Sequence, residues 1–536
     1  MADRNTGIQV WEQAGAEQAI EPAPVAVAAF VGRTLRGPLN NPIALSSFAD
    51  FARNFGGLWQ PSTLSYSVEQ YFENGGQRAL VVRVANGARP CTLSVPGSQG
   101  PLVLAALAPG TREYLRAAVD YDGIGVNEED RFNLVIQRIR VPGSELVEDQ
   151  EIYRRVSVDP LASRDVASAL ADSALVRLAG EVPPARPSPT LRADGRSPAG
   201  YVDSNPDGDD GAPLTDYDVI GSAAEGTGLF ALRRVESFNL LCIPPLTRET
   251  DIGPGVLLVA NRYCRDRRAV LVVDPPLAWQ SADEAIAGMR DWPLVSDNAV
   301  MYFPRLSTQD KLRGRVESFA PGGAVAGMLS RAVDGATGWQ ALANDDHVLR
   351  PGLRPATPVS DVQRQRLATL GINTLQVVRA PGREPIPAQT LAGPATAAPD
   401  WRFLAQRRLA NFIVSSIEHG TRWLLFAPNE ASTWRRAVEQ LQAFFGSLEA
   451  QGAFDARAEG ERWFVTCDER LNRELERSTG VVNLVFGFAA ARPGDFHAFL
   501  LSHRPAGSRL HPVSMSRLQA SGYRPELLFD ELPTAP

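Results

Sequence analysis

Five short apolar runs constrain the fold of this 536-residue chain more than any other feature. Two come early, "VAVAAFVGR" (25–33) and "RALVVRV" (78–84). Three come later, "FNLLCIPP" (238–245), "AVLVVDPP" (269–276) and "AVMYFPR" (299–305). Each has the length of a buried strand, and the later three stop at prolines, as expected where a strand leaves a sheet. Between the early two, "SFADFARNFGG" (47–57) sets Phe48, Phe51 and Phe55 on one helical face and closes on glycine. "LSYSVEQYFENGG" (64–76) aligns Leu64, Val68, Tyr71 and Phe72 in the same way. The order strand, helix, helix, strand predicts an α/β layer.

The stretch between the two groups has another character. "RFNLVIQRI" (131–139) alternates as a strand should, and 183–213 is an exposed loop rich in Pro, Gly, Asp and Ser. Residues 91–214 therefore read as an insertion, leaving a discontinuous α/β domain at 25–90 and 215–380. Residues 1–24 form a polar arm with one alternating patch, "GIQVW" (7–11). From 381 to 510 an α+β domain is expected. Its helices carry Leu409, Phe412, Ile413 and Ile417, then Trp434, Ala437, Leu441, Phe444 and Phe445, at helical spacing. "RWLLFAP" (422–428) reads as a strand between them, and 511–536 as an irregular tail.

Composition excludes several function classes. The net charge of −7 leaves no global basic footprint for nucleic acid. Apolar runs such as "VLLVA" (256–260) are too short to span a bilayer. Four dispersed cysteines without C-x-x-C spacing suit a reducing compartment, and with no apolar signal core at the start, folding in the cytoplasm is expected. Among cations, Lys311 is the only lysine, and it lies outside any phosphate-cradling glycine loop.

Catalytic readings are weak. "HGT" at 419–421 imitates the histidine motif of a serine protease, and Asp274 after a buried strand imitates its aspartate. No downstream serine has the expected Gly-Thr-Ser-x-Ala context. His419 instead reads as the last turn of a helix, favourable to the dipole, with Gly420 ending it in the left-handed conformation. Asp203, Asn205, Asp207 and Gly208 begin like a calcium loop, but Leu214 stands where a bidentate glutamate is needed. The five histidines lack zinc spacing, so no metal, cofactor or catalytic set is assigned.

Several stretches together resemble the tail sheath proteins of contractile phage tails and related contractile injection systems. They are "AAFVGRTLRGPLNNPIALSSFADFARNFGG" with "YFENGGQRALVVRV", "NPDGDDGAPLTDYDVIG", "FAPGGAVAGMLSRAVDGATGWQALAN", "LGINTLQVV", and "RLANFIVSSIEHGTRWLLFAPNEASTWRRAVEQLQAFF" with "FVTCDE". The similarity spans about residues 25–500. It departs at the opening, reduced to Gly7-Ile8-Gln9-Val10, and at Ala388-Gln389-Thr390-Leu391, which lacks the family's arginine. The resemblance implies a subtilisin-like α/β domain without protease residues. It also implies stacked hexameric rings around an inner tube, and a contraction that drives the tube through a target envelope. Terminal arms would donate strands to neighbouring subunits, here Gly7, Ile8, Gln9, Val10 and Trp11, with Phe496, Phe499 and Leu500 at the other end. Arg407, Arg408, Arg435 and Arg436 are the candidate contacts to an acidic tube, against the competing reading of a solvated helix face. The expected partners are further copies of the chain, the inner tube, baseplate and tail-terminator proteins, without nucleic acid or membrane insertion. A serine hydrolase on the same scaffold is the alternative.

Overall fold

All five apolar runs enter one seven-stranded sheet. In the computed structural model its order is Ile372–Thr374, Ala299–Phe303, Val270–Val273, Leu240–Cys242, Val27–Gly32, Arg78–Arg83 and Ile43–Leu45. Six strands are parallel and only the edge strand Ile43–Leu45 is antiparallel. In register, Ala29 lies between Leu80 and Leu241. A parallel sheet is covered on both faces, which is why these strands read as unbroken apolar runs. Ala29, Val31, Leu241, Leu271 and Val273 fill one core, while Ala28, Phe30, Leu240, Val270 and Val272 fill the other. The alternation is the two-residue period of a strand.

The structure describes residues 19–190, 200–331, 348–377, 386–393, 399–454, 462–490 and 496–520. The chain divides into two compact units, one of Ala26–Ala332 and Asp345–Leu404, the other of Met1–Val25, Val333–Asn344 and Ala405–Pro536. Residues 386–404 thus complete the α/β unit, where a start of the C-terminal domain at 381 was expected. The Leu391 amide donates to the Ala299 carbonyl at 2.8 Å, tying this segment to the sheet.

Local signals explain the helices of the first unit. Ser47 caps Phe48–Phe55 through the Asp50 amide, and Gly56 ends it at φ 89°. Ser62 caps Thr63–Glu73 through the Ser65 amide. The helix Gly322–Leu329 is buried at every position and lies along Thr63–Glu73.

The inserted stretch forms two antiparallel sheets around a common core. One contains Thr92–Val95, Leu102–Ala106 and Val176–Leu178; the other contains Val202–Asp203, Leu115–Asp120, Arg131–Ile139 and Val147–Ser157. The acidic turn that imitated a calcium loop closes its neck. Asp207 accepts from the amide and hydroxyl of Thr92, at 2.8 and 2.6 Å, and Asp210 accepts from those of Thr111, both at 2.8 Å. Asp209 takes the Gly211 amide and pairs with Arg89. These carboxylates are used as hydrogen-bond acceptors for the crossing strands, and no metal-binding group occurs among the described residues.

In the second unit, helices Leu404–Gly420 and Ala431–Ala450 accompany an antiparallel sheet of Trp463–Thr466, Val482–Phe488, His497–Arg504 and Gly507–Val513. Phe445 stacks on Trp463 at 5.4 Å and 9°. Two expectations fail here. Arg422–Phe426 is a 3-10 helix, not a strand. The tail is regular through 520, because Gly507–Val513 pairs along His497–Arg504 and Met515–Ala520 is helical.

Candidate assembly surfaces and the Asp274 cavity

The "HGTRW" segment is a structural joint. Gly420 is the last residue of its helix and does not adopt the left-handed conformation expected of it. The helix runs on into Thr421, whose amide donates to the Ile417 carbonyl at 3.0 Å. Glycine is needed for another reason: a Cβ at 420 would lie 2.9 Å from both Cγ1 and Cγ2 of Ile20. The segment before the first strand is held on this helix, with the Ala23 amide donating to Ser416 Oγ at 2.9 Å. His419 is exposed on the last turn.

The buried histidine of this region is His503. Thr421 Oγ1 donates to the Ile417 carbonyl at 2.6 Å, which leaves it to accept from His503 Nε2 at 2.8 Å. That assignment puts the proton on Nε2 and makes Nδ1 the acceptor of the Ser508 hydroxyl at 2.8 Å. Burial, with the nearby Arg422 charge, pushes the imidazole down to about 4, so the ring is neutral. It joins the helix end to the paired strands His497–Arg504 and Gly507–Val513. No periodicity in the sequence marks this histidine.

The expected assembly residues separate into three groups. Gly7, Ile8, Gln9, Val10 and Trp11 lie outside the described residues. Phe499 and Leu500 sit in a strand paired on both sides, with Phe486 and Val485 on one and Pro512 and His511 on the other. Both edges are occupied within the chain, so this strand is not placed to be donated, and Phe496 beside it packs on Phe464 at 5.4 Å. The edges of this sheet are Trp463–Thr466 and Gly507–Val513. An edge strand presents unpaired amides and carbonyls, a template for another chain.

The arginines also divide. Arg408 is only 6% exposed and donates to the Val25 carbonyl at 3.3 Å, so it does not belong on an exposed face. Arg407 is half-buried, while Arg435 and Arg436 are exposed. Arg436 lies over the Trp423 ring at 4.6 Å, and the Trp423 indole N–H donates to Gln440 Oε1 at 2.9 Å. In a 3-10 helix residues three apart share a face, which aligns Trp423 with Phe426, a phenyl that is 91% exposed. Phe426 was not singled out by sequence reasoning, because an apolar residue in an apolar run reads as core.

In the other unit, a cavity of about 450 Å³ opens at the carboxyl ends of Leu240–Cys242 and Val270–Val273. Asp274, the residue imitating a protease aspartate, is in its wall. Burial, opposed by the Arg305 charge and the Gly322 amide, raises its pKa to about 6. Among the described residues no serine or histidine lines the cavity. Because Asp274 keeps its proton to higher pH in the folded chain than in the unfolded one, its contribution to stability is full below the ordinary value near 4. It is lost as pH rises to about 6. Asp274→Asn is therefore expected to melt like the parent at acid pH and above it at neutral pH, by on the order of 1 kcal/mol. Calorimetry across that range checks this, and parallel curves for the two proteins would refute it.

These layers, with their insertion and C-terminal α+β unit, define a class: the chain has the fold of contractile tail sheath proteins. The sheath tail protein Lin1278 from Listeria innocua matches with a TM-score of 0.56 at 13% identity, over 91% of this chain and 97% of that one. The sheath of the extracellular contractile injection system PVC, in its contracted state, matches at 0.51 and 16% identity, over 92% and 96%. The contracted helical sheath of the anti-feeding prophage matches at 0.50 and 16%, over 92% and 98%. No protein-family model and no curated protein matches the chain. Among the described residues no helix is long and apolar enough to cross a membrane.

Proposed function

We propose that this chain is the structural subunit of a contractile sheath. It polymerises as stacked hexameric rings around an inner tube and shortens to drive that tube through a target envelope. The observation that carries this reading is the near end-to-end likeness to sheath subunits, which takes in the insertion and the C-terminal unit as well as the common α/β layer. On this reading the α/β unit is a subtilisin-like scaffold without protease chemistry, consistent with a fold serving unrelated functions. The work of contraction comes from better packing between subunits, and no enzymatic step is required.

The donated strand is assigned to Gly7–Trp11 of the N-terminal arm. Its acceptor is an edge of the C-terminal sheet in a neighbouring copy, Trp463–Thr466 or Gly507–Val513. Arg435 and Arg436, with Phe426, are the proposed contacts to an acidic inner tube. Baseplate and terminator proteins would close the two ends, with assembly in the cytoplasm before release as a phage-tail-like particle.

Removing residues 1–12 tests the arm. The cut spares Ile20 and Ala23 with their contacts on the helix Leu404–Gly420, so the subunit should remain folded. Negative-stain microscopy is expected to show tubes from the full chain and isolated subunits from the truncated one. Ordinary tubes from the truncated chain would refute strand donation, and no tubes from the full chain with its tube protein would refute the sheath itself.

A further inference from the structure

The cavity beside Asp274 has no part in the sheath reading, yet it has the construction of a ligand site. In open α/β sheets, ligands bind in crevices outside the carboxyl ends of the strands, near the point where strand order reverses. Here the reversal falls between Val27–Gly32 and Leu240–Cys242, since the chain builds outward from the first strand on both sides. The cavity lies at the ends of Leu240–Cys242 and its neighbour Val270–Val273. Its volume of about 450 Å³ is that of a small-molecule pocket.

The walls combine apolar surface with carboxylates. Ile243, Ile252, Leu257 and the Trp292 indole provide the first, and Asp251, Asp274 and Asp291 provide the second. Among the described residues no cationic side chain lines the cavity. Two of the three acids are held in place. Asp251 Oδ2 accepts the Leu277 amide at 2.8 Å, and its Oδ1 lies 3.9 Å from the Arg305 guanidinium. Asp274 Oδ1 accepts the Gly322 amide at 2.6 Å. Asp274 Oδ2 has no hydrogen-bond partner among the described residues, although its residue belongs to the cavity wall. A fixed carboxylate with one oxygen unspent, among aliphatic walls and one indole, is complementary to a flat, weakly hydrated cation. Amidinium and guanidinium groups fit that description: they pair with carboxylates through two parallel N–H donors and stack on aromatic faces. A strongly hydrated ammonium or a bare metal ion would lose more hydration than these walls replace.

We propose that this cavity binds an organic cation, an amidinium or guanidinium carried on an apolar body, with Asp274 as its counter-ion and Trp292 as its stacking surface. The site is lined within a single chain.

Benzamidine is the probe, and benzamide its neutral isostere, titrated calorimetrically into the full chain at neutral pH. Benzamidine is expected to bind saturably at one site, and benzamide to bind at least about tenfold more weakly. Asp274→Asn should lose about tenfold or more in benzamidine affinity, with its own thermal melt showing that it is folded. Leu257→Trp should abolish binding by filling the cavity while leaving every carboxylate in place. Affinity should also fall as pH drops below about 6, where burial, helped by the Asp251 charge, makes Asp274 take up its proton against the Arg305 charge and the Gly322 amide. Equal binding of both compounds, undiminished binding by folded Asp274→Asn, or no saturation at millimolar benzamidine would overturn the proposal.

Discussion

Gly323→Ala is expected to destabilise the α/β unit by about 3 kcal/mol or more, a large share of a typical domain's stability. A Cβ at 323 would stand 2.0 Å from the Ser67 carbonyl oxygen, and one at 327 would stand 2.3 Å from the Tyr71 carbonyl oxygen. Gly323 and Gly327 are four residues apart on one helix, and Ser67 and Tyr71 are four apart on the other. Each pair therefore lies along one helical face. The two backbones touch without side chains between them. A methyl group cannot move aside a carbonyl, so the helices must separate, and both are packed on the same side of the sheet. Gly255→Ala supplies the control, because a Cβ there meets nothing within 4 Å. In the helix Pro254–Asp266 that change should be neutral or should stabilise by about 0.5–1 kcal/mol. Denaturant unfolding of the two variants measures the difference, and a Gly323→Ala midpoint equal to the parent's would contradict the close-contact account.

Arg248→Met is expected to cost about 3–5 kcal/mol, the range for breaking a buried ion pair from one side. Arg248 donates to Asp310 Oδ2 at 2.6 Å and to Glu317, and its guanidinium lies between the Tyr66 and Phe319 rings at 4.7 and 4.8 Å. The Asp310 side chain is fully buried and Glu317 nearly so. Burial alone would raise the Asp310 pKa. The Leu312 amide, Arg248 and the Arg313 amide outweigh it and hold the carboxyl below its ordinary range. In the parent protein that stabilisation is present above the unfolded pKa near 4 and is lost as pH falls through the folded value. Without Arg248 the carboxylate is strained at neutral pH and relieved by protonation. The stability gap between variant and parent should therefore narrow on acidification. Arg248→Lys should recover only part of the loss, since an ammonium cannot make the forked contact or stack in the same way. A gap that widened toward acid pH would contradict this account.

The strands of the central sheet were legible because burial on both faces removes the need for polar residues. "AVLVVDPP" and "AVMYFPR" read as buried strands because they recur at strand length among similar runs and end at proline. The motif Gly323-Ala-Val-Ala-Gly327 stood out by resemblance, but its reason, two helix backbones in contact, is visible only when Ser67 and Tyr71 are brought alongside. "RWLLF" was misread for the opposite cause. A five-residue apolar run has no period that separates strand from helix. What decides it is the helix carried on by the Thr421 hydroxyl bonding the Ile417 carbonyl one turn back, together with the Trp423 bond to Gln440 on the next helix. Arg408 shows the same limit, since helical spacing alone did not reveal that the segment through Val25 covers it.

By itself, the amino-acid sequence determined which segments are strands of a covered sheet, and that the "HGT" motif lacks a protease's serine. These are local properties, written in the spacing of apolar residues and in the chemistry of turns. Only the tertiary structure decided which histidine is buried, which strands stand at the sheet edges, and that Asp251, Asp274 and Asp291 line one cavity from three separate segments. The reason is physical: hydrophobic periodicity acts over a few residues. Sites depend on distances between side chains far apart in the chain, and those are set when the layers pack.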